Sequence, residues 1–133
     1  GHAVYRAKAF TGDEPFALLL GDDIIYNEGK SATAQLVEGY DKAGACILGV
    51  QKVADDQVSK YGNVKPQMVD DRLMKVLDMV EKPKQEEAFS NYAALGRYIL
   101  TKDIYRELEV TKPGVGGEIQ LPDQQRGALR LRL

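Results

Sequence analysis

Apolar positions recur along this chain in distinct rhythms, and each rhythm predicts a different element. In "HAVYRAKAF", Ala3, Val4, Ala7 and Phe10 fall at helical spacing ahead of Thr11 and Gly12, so a helix is expected over residues 2–10. "FALLLGDDIIY" is a continuous apolar run broken only by Gly-Asp-Asp, which predicts a central strand covered on both faces. Ser31 stands where it can cap a helix "ATAQLVEGYDKA", with Leu36, Val37 and Tyr40 on one side and Gly44 as its stop. "ACILGVQKV" reads as the next buried strand. Strand, helix and strand with short connections predict a right-handed crossover and hence a parallel pair.

The second half alternates more. "YGNVKPQMV" and "LMKVLDMVEK", joined by the polar turn "DDR", predict a hairpin. "QEEAFS" is short and helical or irregular, and "NYAALGRYIL" is apolar enough for another interior strand. Thr101 caps "KDIYRELEV", where Ile104, Tyr105 and Leu108 form an apolar stripe that "TKPGVGG" ends. No repeat or interdomain linker interrupts the pattern, so the expectation is a single α/β domain over residues 1–133 with a mixed sheet.

Composition narrows the function classes. With 44% hydrophobic and 29% charged residues, 133 residues are enough to bury one core. The net charge of -2 is spread along the chain, which disfavours nucleic acid as a partner. Cys46 is the lone cysteine and cannot form an intrachain disulfide, so it reads as a small buried residue in a reducing, cytoplasmic setting. No apolar run approaches the roughly 20 residues that cross a bilayer, and the N-terminus lacks an export signal, so no membrane partner is expected.

Candidate chemistry lies where charge interrupts apolar sequence. Asp22 and Asp23 stand in a stretch that otherwise wants burial, where an ionised carboxylate needs a cation or several donors. One of them, at a strand tip, can reach a divalent metal, with magnesium the natural choice; equally, either can cap a turn. In "VEKPK", Glu81 can accept from adjacent sugar hydroxyls while Lys82 neutralises a phosphate, or both are a solvated strand end. Gly62 of "KYGNV" is a point of close backbone approach or a turn glycine.

Taken together and in order, "GHAVYRAKAF", "FALLLGDDIIY", "VSKYGNVKP", "MVEKPK", "GRYILT" and "GGEIQLPD" resemble the middle part of the bacterial UTP-glucose-1-phosphate uridylyltransferases, a branch of the sugar-nucleotide pyrophosphorylases. The resemblance runs from Gly1 to about Asp123. It implies a Rossmann-like nucleotidyltransferase fold with a mixed, mainly parallel sheet, here truncated on its N-terminal side. It also implies transfer of uridylyl from UTP to glucose 1-phosphate, giving UDP-glucose and pyrophosphate. Asp22 would then be the catalytic magnesium ligand and Asp23 its neighbour. Glu81 would hold glucose hydroxyls, Lys82 the sugar phosphate, and the Gly62 backbone another hydroxyl. Glu118 would lie near the sugar pocket, and Gly1 and His2 at the end of a loop that approaches the nucleotide.

The sequence also departs from the family. The opening strand, its glycine-rich loop with an arginine and a later lysine, and a second metal-binding aspartate have no counterpart here, which implies a chain incomplete for catalysis on its own. "LPD" carries Pro122 where the family usually has threonine, and the tail "QQRGALRLRL" alternates Leu and Arg as an edge strand in a partner chain would. Missing cover over "FALLLG" and "ACILGV" predicts an exposed apolar patch and a homo-oligomer. Two other functions stay open: a related sugar-1-phosphate nucleotidyltransferase with another base or sugar, and a non-catalytic sugar-nucleotide-binding or assembly fragment.

Overall fold

The computed structural model describes residues 1–110 and 130–132. The first helical stretch is two short pieces, α1 (His2–Arg6) and α2 (Lys8–Thr11), which meet at Ala7. Then follow β1 (Phe16–Leu19), α3 (Ala32–Ala43), β2 (Ile47–Lys52), β3 (Gly62–Met68), β4 (Leu73–Glu81), β5 (Tyr92–Leu100), α4 (Asp103–Val110) and β6 (Arg130–Arg132), with short 3-10 turns at Asp55–Lys60 and Gln85–Glu87. The strands form one sheet in the order β1-β5-β2-β6-β4-β3, and β3 also touches β5 where Asn63 stands opposite Ala93.

Local signals place several elements as expected. Ser31 Oγ accepts from the Ala34 N–H, and Gly44, at a left-handed φ of 60°, donates its N–H to the Tyr40 carbonyl, so α3 begins and ends at its predicted caps. β3 and β4 form the expected antiparallel hairpin, with Asp70 Oδ1 accepting from the Arg72 and Leu73 N–H groups in the turn. In α4 the stripe Ile104, Tyr105 and Leu108 is buried. Thr101 helps start that helix through its backbone carbonyl, which accepts from the Ile104 N–H, while its hydroxyl faces Cys46 Sγ and Asp103. The expected stop "TKPGVGG" lies outside the described residues.

Three expectations are corrected. The sheet is mixed but mainly antiparallel: among the described pairings only β2 with β6 is parallel. β1 and β2 do run the same way, as a crossover requires, but β5 lies between them and runs against both. Nor is "FALLLGDDIIY" a central strand. β1 stops at Leu19 on the edge of the sheet, and residues 20–31 leave it, with Ile24 92% and Tyr26 82% exposed. Arg130–Arg132 of the tail pair within the chain's own sheet rather than at a partner's edge. The unpaired edges of Ile47–Gly49 and Leu73–Lys75 need backbone partners, and Arg130–Arg132 supplies them to both.

The sheet separates two apolar clusters. On one face Val4 of α1 and the α4 stripe pack over Leu48, Val64, Met74, Val76 and Tyr98, and Phe16 stacks on Tyr105 at 5.8 Å. On the other, Leu36 of α3 packs on Ile47, Leu73 and Ile99. Each fully buried side chain of this kind contributes about 1.5–3 kcal/mol relative to exposure. The predicted uncovered patch is half right: β2 is buried through Val50, whereas Leu19 and Leu20 at the β1 tip are exposed.

Candidate functional site

The hairpin builds one end of the site. Its register sets Gly62, the first residue of β3, opposite Glu81, the last of β4. A Cβ on Gly62 would fall 2.9 Å from Glu81 Oε2, 2.9 Å from Met79 Cε and 3.6 Å from Ala94 Cβ, so the carboxylate lies over the bare glycine on the face that α1 and α4 cover. Beyond Glu81, Lys82 has a positive φ of 44°, rare for a residue with a side chain and further disfavoured ahead of Pro83. Its N–H donates to the Tyr61 carbonyl and Pro83 is buried, which holds the strained turn and leaves Glu81 and Lys82 side by side and exposed.

Asn63 anchors this end. It is fully buried; Oδ1 accepts from the Phe89 and Ser90 N–H groups at 2.8 and 3.3 Å, and Nδ2 donates to the Ser90 and Tyr92 carbonyls at 2.6 and 3.4 Å. One amide therefore ties the start of β3 to the segment entering β5. The sequence reading passed over it, although an asparagine inside an otherwise strand-like run is a signal of its own.

The tip of β1 builds the other end. Gly96 of β5 sits at φ 60°, and a Cβ there would come 2.7 Å from Asp23 Oδ2 and 3.1 Å from Leu20 Cβ, so the segment after β1 closes directly onto a bare backbone. Asp23 is half-buried by that approach, whereas Asp22 is exposed and makes no ion pair among the described residues. Arg97 reaches the same segment, donating from Nη1 to the Leu20 carbonyl at 2.5 Å and from Nη2 to the Asp23 carbonyl. It is the lone charge in the apolar "YAALGRYIL", a visible signal that the sequence reading did not use.

Tyr98 joins the two ends. Burial, then the Glu81 carboxylate, then the Asp23 carboxylate push its phenol up to about 12, since each disfavours a phenolate there. Both carboxylates thus lie close enough to act on one buried ring. Of the residues singled out in the sequence, Gly62, Glu81 and Lys82 meet at the hairpin end, and Asp22 and Asp23 lie at the β1 tip. Gly1 and His2 open α1, on the same side of the sheet through Val4, with His2 Nε2 accepting from Arg6 Nε at 3.3 Å. Glu118 lies outside the described residues. No cluster of three His, Cys, Asp or Glu ligands is present among the described residues. Asp22, exposed, and Asp23, half-buried beside it, are a carboxylate donor set that could hold magnesium, an ion that takes one or two carboxylates together with substrate phosphates and water.

The α/β fold carries a carboxylate pair at the β1 tip and a Glu-Lys pair beside a bare glycine at the end of β4, and the chain belongs to the nucleotidyl transferase family, whose model matches residues 1–124. Within it, the chain is 49% identical over 123 residues to UTP-glucose-1-phosphate uridylyltransferase 2 of Staphylococcus saprophyticus, covering 92% of this chain and 42% of that protein. It is 47% identical over 124 residues to the UTP-glucose-1-phosphate uridylyltransferase of Pseudomonas aeruginosa, covering 92% and 44%. Among solved structures, a UDP-glucose pyrophosphorylase complexed with UDP-glucose superposes with a TM-score of 0.92 at 39% identity, covering 98% of this chain and 52% of that one. The chain therefore spans somewhat under half the length of these curated relatives. No helix among the described residues is long and apolar enough to cross a membrane.

Proposed function

We propose that this chain forms the sugar-phosphate and metal portion of a UTP-glucose-1-phosphate uridylyltransferase, which joins UTP and glucose 1-phosphate into UDP-glucose with release of pyrophosphate. The observation that carries the reading is the placement of Glu81 over Gly62, against Ala94 of β5, and of Asp23 over Gly96 further along the same strand. The names of the relatives point the same way.

In this mechanism a phosphate oxygen of glucose 1-phosphate attacks the α-phosphorus of UTP in line, forming one P–O bond as the bond to pyrophosphate breaks. No side-chain nucleophile is needed, so the residues position groups and balance charge. Glu81 accepts from glucose hydroxyls, and the Gly62 backbone, buried beneath that carboxylate, takes another. Lys82 faces the sugar phosphate. Glu118, and Gly1 with His2 at the head of α1, complete the sugar and nucleotide sides. Asp22, with Asp23 beside it, would hold magnesium, which would supply neutralisation of charge on the phosphates. The exposed apolar tip of β1 suits a homo-oligomer, and the lone buried Cys46 suits the cytoplasm.

Calorimetric titration with UDP-glucose, with and without magnesium, tests the reading. Magnesium-dependent binding is expected, and Glu81→Ala should weaken it by about tenfold or more, as loss of a charged hydrogen-bonding group does. Equal affinity of Glu81→Ala and the unaltered chain would overturn the assignment of the sugar end, and tighter binding of dTDP-glucose than of UDP-glucose would favour a different base.

A further inference from the structure

We infer that Arg97 is a positioning residue, a clamp that fixes the turn carrying Asp22 and Asp23 and so sets where the metal end of the site is held. The inference rests on the reading of Asp22 and Asp23 given under Proposed function.

The β1–β5 ladder ends where Leu19 stands opposite Arg97, and one further backbone bond follows, from the Leu20 N–H to the Gly96 carbonyl at 2.9 Å. Beyond it, Gly21 and Asp22 form a turn, and no regular structure resumes until α3. The carbonyls at the two ends of that turn belong to Leu20 and Asp23, and both accept from one guanidinium: Nη1 of Arg97 reaches Leu20 at 2.5 Å and Nη2 reaches Asp23. Nη1 also approaches the Gly96 carbonyl at 3.4 Å. The planar, permanently charged fork thus replaces the strand pairing that the turn has lost, bridging two acceptors at a fixed separation.

The neighbouring residue makes the clamp possible. A side chain at Gly96 would collide with Asp23 Oδ2, so only this bare position lets the turn come within reach of Arg97. From below, Gly49 of β2 seats the Arg97 stem: a Cβ there would touch both Arg97 Cβ and the Arg97 carbonyl at 3.4 Å. Lysine cannot take over the task, because a single ammonium on a flexible stem does not hold two carbonyls in a set geometry.

The test is 15N relaxation of the metal-free chain as Arg97→Lys and Arg97→Ala variants, with UDP-glucose titrations in magnesium and in EDTA. Order parameters of Gly21 to Ile24 are expected to fall from the rigid range, about 0.85, towards about 0.6 or below in Arg97→Ala. Arg97→Lys should lie between, and Leu48 and Ile99 should stay rigid in both. The gain in UDP-glucose affinity produced by magnesium should shrink about tenfold in Arg97→Lys, with the magnesium-free affinity unchanged. Unchanged order parameters at residues 21–24, loosening of the whole sheet in both variants, or an undiminished magnesium effect would each overturn the inference. Failure of the unaltered chain to bind UDP-glucose would count instead against the proposed function, and the relaxation data would still decide whether Arg97 holds the turn.

Discussion

The two ends of the site are built in opposite ways. The hairpin end is woven into the sheet: Gly62 and Glu81 are ladder partners, and Asn63 is fully buried with all its hydrogen-bonding capacity used. The β1 end hangs from an edge strand of four residues, exposed, and tied to β5 by one guanidinium and a backbone bond at Gly96. Groups that must match the hydroxyl pattern of a sugar gain from a rigid frame, whereas a metal-binding turn completed by incoming phosphates gains from adjustability. If that contrast is right, damage at the hairpin end appears first as lost stability and damage at the β1 tip first as lost order.

The largest effect is expected at Asn63. Asn63→Ala removes a fully buried amide that makes four hydrogen bonds, leaving the part-buried Phe89 and Ser90 N–H groups without their acceptor, and should cost about 2–4 kcal/mol in urea unfolding; a loss below about 1 kcal/mol would erase the contrast. Next comes Tyr98, which belongs to both ends. Its phenol in the folded chain sits near 12, above its ordinary value of 10. The unfolded chain therefore loses that proton first, and the stability is intact below pH 10 and falls as pH rises from 10 to 12, by about 2–3 kcal/mol. Tyr98→Phe should remove that part of the slope, read as urea midpoints against pH. The smallest effect is at Lys82. Lys82→Gly relieves a left-handed backbone and should stabilise the fold by about 1 kcal/mol, while loss of the charge weakens UDP-glucose binding by about tenfold. A variant that binds UDP-glucose as tightly as the unaltered chain would show that the strained lysine does not serve binding, and one no more stable would show that its backbone is not strained.

The contrast also explains what was legible in the sequence. The caps of α3, the α4 stripe and the β3–β4 hairpin are set by neighbours within a few residues, and all appear where expected. With the hairpin comes the meeting of Gly62 and Glu81. The insertion of β5 between β1 and β2, and of β6 between β2 and β4, rests on pairings between segments far apart in the chain, for which no local pattern exists. β1 was misjudged for the same reason: a continuous apolar run predicts cover on both faces but does not say which strand supplies it. Asn63 and Arg97, which tie the two ends to β5 and its approach, and Tyr98, which is buried between them, act across such long-range junctions, for which the local pattern gives no signal.

The most direct test is one 15N-resolved titration of the chain with UDP-glucose and magnesium. The account predicts concerted shifts at Gly62, Glu81, Asp23 and Gly96, saturating at a single concentration, while Leu36 and Tyr40 on the α3 side stay still. Shifts confined to one of the two ends, or centred on α3, would contradict the claim that a sugar-binding hairpin and a metal-binding turn serve one ligand.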